Sequence, residues 1–130
     1  MPLAFAGKSK MAVVTITTAN DADFIRGFLY QYTPSGTPVD LTGNKMRMGI
    51  RRRAEDVSEE ILLTTENGGL VISDPVGGAF TVIIRQSMLV QHKVGDYEHS
   101  LIRTRPDGMK LRVWSGTLTI EAGPSRVGEP

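Results

Sequence analysis

The chain of 130 residues has no cysteine, one tryptophan and two histidines. Disulfides, cysteine-ligated zinc and thiol nucleophiles are therefore excluded. The missing cysteines also fit assembly in a reducing cytosol. His92 and His99 could hold a metal only with carboxylate help, from Asp96 or Glu98, and their spacing matches no ligand motif. An excess of either charge is missing too: 15 basic residues stand against 14 acidic ones, a net +1. Proteins that grip nucleic acid through its phosphates gather a basic excess on one face, so nucleic acid is not an expected partner. Long apolar runs are absent, and no segment approaches the roughly 18 residues that span a bilayer. In "MPLAFAGKSK" the lysines follow a short apolar run instead of preceding it, unlike a secretory signal.

What the chain has is period-2 alternation broken by turn residues. "MAVVTITT", Met11 to Thr18, is β-branched and bounded by "ANDAD", which reads as a strand and a turn. "DFIRGFLYQYT" puts Phe24, Phe28, Tyr30 and Tyr32 on one face with Arg26 among them, and "TPSGTPVDLTGN" is a long turn. "KMRMGIR" alternates most cleanly: Met46, Met48 and Ile50 point one way, Lys45, Arg47 and Arg51 the other, with Gly49 on the basic side. "EILLTT" and "GLVIS" flank "ENG", a hairpin signal, and "DPVGG" leads into "AFTVIIR". "QSMLVQHKVGD" is the one plausible helical turn, ended by Gly95. "YEHSLIRTR" and "KLRVWSGTLTIEA" are strands joined by "PDGM". In the last of them the apolar face switches near "SG", which predicts a β-bulge at or beside Gly116. About eight short strands at this spacing predict a single all-β domain, a sandwich or barrel. Residues 11–122 form the domain. Residues 1–10 and 123–130 lack strand patterning and are expected to be arms that become ordered on assembly.

Nothing in the pattern demands catalysis, and no catalytic, cofactor-binding or metal-binding residue is assigned. Asp21 and Asp23 have no glycine-bearing ligand loop after them, and "PVGG" and "ENGG" do not precede helices, where phosphate cradles work. A small hydrolase would need a cleft in which His99 meets an acidic residue and a hydroxyl. Trp114 on a strand reads as a core anchor, or else as a sugar-stacking platform if Tyr30 or Tyr32 lies beside it at the surface. The stretch "MRMGIRRRAEDVSEE" offers the remaining site. Arg51 and Arg53 share the outer face and Arg52 turns toward the core side, while Glu55, Asp56, Glu59 and Glu60 lie close enough to neutralise them. Solvated mixed charge is the usual meaning of such a run. Binding to an acidic protein surface is the functional alternative, carried by Lys45, Arg47, Arg51 and Arg53.

A resemblance emerges from "PVDLTGNKMRMGIR", "LTTENGGLVISDPVGGAFTVIIRQSML" and "GDYEHSLIRTRPDGMKLRVWSGTLTIEAGPSR" taken in order. A D-L-T-G turn, a T-x-N-G hairpin, a glycine-marked hairpin, a G-x-Y strand and a closing W/L-x-G-x-L/V-x-I/V strand near an arginine together resemble the N-terminal domain of phage baseplate upper proteins. The resemblance runs from Phe24 to Arg126. It departs from that pattern at "YEHSL", where His99 and Ser100 stand in place of an acidic residue and a leucine. It implies an immunoglobulin-like β-sandwich of antiparallel strands with extended arms. It also implies a non-enzymatic virion component of tail, baseplate or head, made in the host cytoplasm, with other virion proteins and copies of itself as partners and no membrane. Reversal of Arg47, Arg51 and Arg53 to glutamate is expected to leave folding intact and weaken assembly. The alternative is a carbohydrate-binding module that attaches a virion to a host glycan.

Overall fold

A computed structural model describes residues 3–6, 12–32 and 35–128. Among them are ten strands and one four-residue helix: β1 (Leu3–Ala6), β2 (Ala12–Val13), β3 (Ile16–Ala19), β4 (Phe24–Gln31), β5 (Lys45–Arg51), β6 (Ile61–Thr64), β7 (Leu70–Asp74), β8 (Ala79–Ile84), α1 (Gln86–Leu89), β9 (Gly95–Thr104) and β10 (Lys110–Glu121). They form two sheets, β1-β4-β8-β7 and β2-β10-β9-β5-β6, with β3 also on β10. This is an all-β sandwich, and its strand order is that of immunoglobulin domains: A-B-E-D in one layer and A′-G-F-C-C′ in the other.

The alternation of each strand sets which side chains fill the space between the layers. Met46, Met48 and Ile50 of β5 are buried, as are Phe80, Val82 and Ile84 of β8. Phe28, Phe80 and Trp114 meet at the centre with ring centroids 4.6 to 5.6 Å apart. At the start of β9, Tyr97 is buried and its hydroxyl donates to the Lys93 carbonyl at 2.6 Å. That is the tyrosine-corner arrangement of immunoglobulin strand F. Burial raises the Tyr97 pKa, against the opposing pull of Arg52.

Several expectations need correction. The strands are not all antiparallel, since β1 runs parallel to β4, and β2 and β3 run parallel to β10. Leu3–Ala6, expected in an unpatterned arm, is a strand on the edge of the four-stranded sheet. The strand expected over Met11 to Thr18 is two pieces, and Met11 lies outside the described residues. "ENG" does not close a hairpin: β6 pairs with β5 in one sheet and β7 with β8 in the other, so residues 65–69 carry the chain across the sandwich. A strand that ends on one layer and restarts on the other shows the same turn chemistry as a hairpin. The bulge lies at Val113, between Arg112 and Trp114, and not at Gly116, which pairs in register with His99. Val113 and Trp114 are consequently both buried. Gly116 has a different job, because a Cβ there would overlap the Val14 carbonyl. Residues 123–127 are tied down as well. The Gly123 N–H donates to buried Asn20 Oδ1 at 2.8 Å, Ser125 N–H to Asp21, and Gln86 Nε2 to the Asn20 and Val127 carbonyls.

Candidate partner-binding face

The outward residues of β5, β9 and β10 make one side of the six-stranded sheet, and a shallow groove of about 570 Å³ runs over it. Arg47, Gly49 and Arg51 border it on β5, Glu98 and Ser100 on β9, and Thr117 on β10. Gly49 leaves room in the middle of the basic row. A Cβ there would lie 2.6 Å from Glu59 Oε2, so the glycine lets the Glu59 carboxylate lie flat on the sheet. Glu59 then bridges two arginines: Arg47 Nη2 to Oε1 at 2.7 Å and Arg51 Nη2 to Oε2 at 3.7 Å. Arg51 also donates to the Asp56 and Val57 carbonyls, which fastens the 52–60 loop to the end of β5.

The four cations singled out by sequence are thus of two kinds. Arg47 and Arg51 are engaged by Glu59 and the loop. Lys45 lies 3.9 Å from Glu66 with both side chains mostly exposed, a contact of little energetic weight. Arg53 donates its backbone N–H to Asp56, and its guanidinium meets no partner among the described residues. Arg52, expected to turn toward the core side, stays exposed, with its guanidinium 4.7 Å from the Tyr97 ring centre and donating to the Asp96 carbonyl. Reversing Arg47 and Arg51 would set glutamates against Glu59, so the triple reversal cannot be neutral for the fold. Glu59 is one of the four acidic residues whose nearness to the arginines is legible in the sequence, and the glycine in the basic row marks where it lies.

The rival chemistries meet this geometry less well. Glu98, His99 and Ser100 are consecutive on a strand, so alternation puts Glu98 and Ser100 in the groove and His99 in the core, where it is 4% exposed. No ring nitrogen of His99 has a partner at full hydrogen-bond geometry, although the Thr117 and Val14 backbones come near enough to favour its charge. Burial outweighs them and lowers the His99 pKa to about 4. His92 Nδ1 faces Glu60 at 3.4 Å, on another part of the surface. No group of three or more His, Asp or Glu side chains suited to a metal occurs among the described residues. Trp114 is fully buried and Tyr30 nearly so, which removes the stacking platform that a glycan would need. Buried Arg103 lies over the Tyr30 ring at 5.6 Å and donates to Asn44 Oδ1, closing the far end of the core.

Fold and site together define an immunoglobulin-ordered sandwich that presents a mixed-charge sheet face. No protein-family model matches the chain, and no curated protein matches it. Among solved structures it is similar to the N-terminal domain of phage TP901-1 ORF48, at 16% identity, over 92% of this chain and 95% of that one, with a TM-score of 0.49.

Proposed function

We propose that the chain is a non-enzymatic structural component of a tailed-phage virion, of tail, baseplate or head, which binds neighbouring virion proteins through the rim of its six-stranded sheet. The observation that carries this reading is where the ordered motifs fall. "DLTG" is a turn in which Asp40 accepts from the Thr42 N–H and hydroxyl, bonds that lower the Asp40 pKa. "TENG" is the crossing between layers, "GDY" the tyrosine corner, and "WSGTLTI" the strand that receives the N-terminal segment. The elements of the resemblance are the joints of one rigid body, not isolated turn chemistry. Rigid bodies with open strand edges are suited to assembly. Lys45 and Arg53, the two cations not committed to Glu59, are the ones available to an acidic neighbour.

The test is to purify particles from cells carrying the coding sequence and look for the protein by mass spectrometry and immunogold labelling. A stoichiometric particle component is expected, and its reproducible absence from particles would overturn the reading. Within particles, Lys45→Glu with Arg53→Glu should keep the melting temperature and reduce incorporation. Unchanged incorporation would remove the basic rim from the interface.

A further inference from the structure

The six-stranded sheet has two edges, and only one is finished. At β6 the Asn67 side chain folds back against the strand. Its Oδ1 accepts from the Thr64 and Gly69 N–H groups at 2.9 Å, and its Nδ2 donates to the Leu62 carbonyl at 2.9 Å. Two of the outward backbone groups of that edge, the Thr64 N–H and the Leu62 carbonyl, are thereby satisfied. In the other sheet, β7 is interrupted by a register shift after Ile72 and ends on Asp74, and β1 has only four residues.

The edge formed by β2 and β3 carries no such side chain: it is two short pieces, joined through Val14 and Thr15 with no change of register on β10. Residues 12–19 read A-V-V-T-I-T-T-A, with no charge, proline or glycine and six β-branched residues in succession. Its ladder to β10 keeps one parity throughout, with the Val14 N–H on the Ser115 carbonyl and the Asn20 N–H on the Glu121 carbonyl, both at 2.9 Å. Even-numbered backbone groups therefore face β10, and those of Val13, Thr15 and Thr17 face away from it. No strand lies beyond them among the described residues. All three of these residues are exposed, Val13 to 75%, while Val14 and Ile16 are buried. Uncharged, β-branched edges without proline or a bulge are those that pair with another chain.

We propose that this edge pairs with the same edge of a second copy, antiparallel about a two-fold axis at Thr15. The pairing is self-complementary. Val13 meets the partner copy's Thr17, Thr15 meets Thr15, and Thr17 meets Val13, which gives about six backbone hydrogen bonds at two per bonded pair. Threonine opposite threonine is a favourable cross-strand pair, and Val14 and Ile16 alternate with these pairs on the inward side. Charge permits the approach of a second copy. The outward neighbours on β10 are Ser115, Thr117 and Thr119, so no ionisable side chain of β10 borders the axis, and the chain carries only +1 overall. An isologous contact of this kind closes a dimer. The pairing follows from the strand itself and does not depend on the virion reading.

Light scattering on the full chain across concentration, with Thr15→Lys, Thr15→Glu and their equimolar mixture, tests it. Wild type should show twice the 14.2 kDa mass of one chain. Each variant alone sets like charges opposite each other at the axis and should raise the dissociation midpoint at least about tenfold. The mixture should recover the dimer, because lysine then faces glutamate. A wild type that stays monomeric up to millimolar concentration overturns the proposal, and so does a dimer that survives in both variants or a mixture that recovers nothing. Should either variant misfold, amide exchange on wild type decides. Protection of the Val13, Thr15 and Thr17 amides that disappears on dilution supports the pairing, and free exchange at all concentrations refutes it. A failed dimer leaves particle incorporation untouched, so the two readings fail separately.

Discussion

The two edges of the six-stranded sheet solve the same problem in different ways. At β6 a single asparagine imitates a neighbouring strand. At β2 and β3 the chain presents six β-branched residues and stops. Edge strands with unpaired backbone groups invite other chains, and natural proteins blunt those that must stay alone. That one edge is blunted and the other left plain indicates that the plain edge is used. Behind both edges the core is apolar, with Ile61 and Leu63 at β6 and Val14 and Ile16 at β2 and β3, and the buried His99 ring lies against the Val14 backbone.

The largest effect should come from removing the open edge. Gly116→Ala would drive a Cβ into the Val14 carbonyl, and backbone cannot yield as a flexible side chain can. Seating β2 and β3 elsewhere would uncover Val14 and Ile16, each worth about 1.5–3 kcal/mol when buried. A loss of about 3 kcal/mol or more is expected in denaturant titration at pH 7. A loss below about 1 kcal/mol, within the range of an ordinary surface change, would mean that the strand and the glycine are not in close contact.

Acid should act on the same edge. Free histidine takes up its proton near 6.5, and His99 in the folded chain only near 4. Between these values the unfolded chain binds more protons, so stability falls as pH falls from about 6.5 to about 4 and is unaffected by this group above that window. The greatest loss is about 3 kcal/mol, because each tenfold drop in proton affinity corresponds to about 1.36 kcal/mol. His99→Leu keeps most of the volume and removes the proton. The difference in unfolding free energy between wild type and this variant should change across the window and be flat from pH 7 to 9. A difference that does not change with pH would show that His99 charges freely in the folded chain.

Strand period and turn chemistry make much of this architecture readable in advance. The alternation of "KMRMGIR" puts Met46, Met48 and Ile50 inside and the basic row outside, as the structure has them. Partnership is harder to read. Nothing local distinguishes "ENG" as a crossing from "ENG" as a hairpin, because the Asn67 bonds are the same short-range chemistry and the choice of layer depends on distant strands. The bulge lies three residues from its expected place because a glycine is a conspicuous marker and Val113 is not, although two adjacent buried residues, Val113 and Trp114, are what a bulge produces. The parallel seating of β1, β2 and β3 is likewise a long-range outcome with no local signature. At the site, the cations and the acidic stretch that neutralises them are visible in the sequence, but which of Glu55, Asp56, Glu59 and Glu60 bridges two arginines depends on the path of the loop.

The smallest of these effects lies at the finished edge. Asn67→Ala removes one acceptor and one donor that together satisfy the Thr64 and Gly69 N–H groups and the Leu62 carbonyl. Thr64 and Leu62 are only partly buried, so water can replace some of what is lost, and the cost should be about 2 kcal/mol rather than the sum of three bonds. The more telling change is in association. If the asparagine is what keeps this edge closed, the variant gains a second sticky edge opposite the first, and copies can join at both ends of the sheet. A contact that closes a dimer then becomes one that propagates. Static light scattering should show masses above the dimer that grow with concentration, and Thr15→Lys placed in the same chain should cut the series back to pairs. A variant that is destabilised yet never exceeds the dimer would mean that Asn67 serves only to fix the crossing between layers, and that β6 is protected by the packing of residues 65–69 alone.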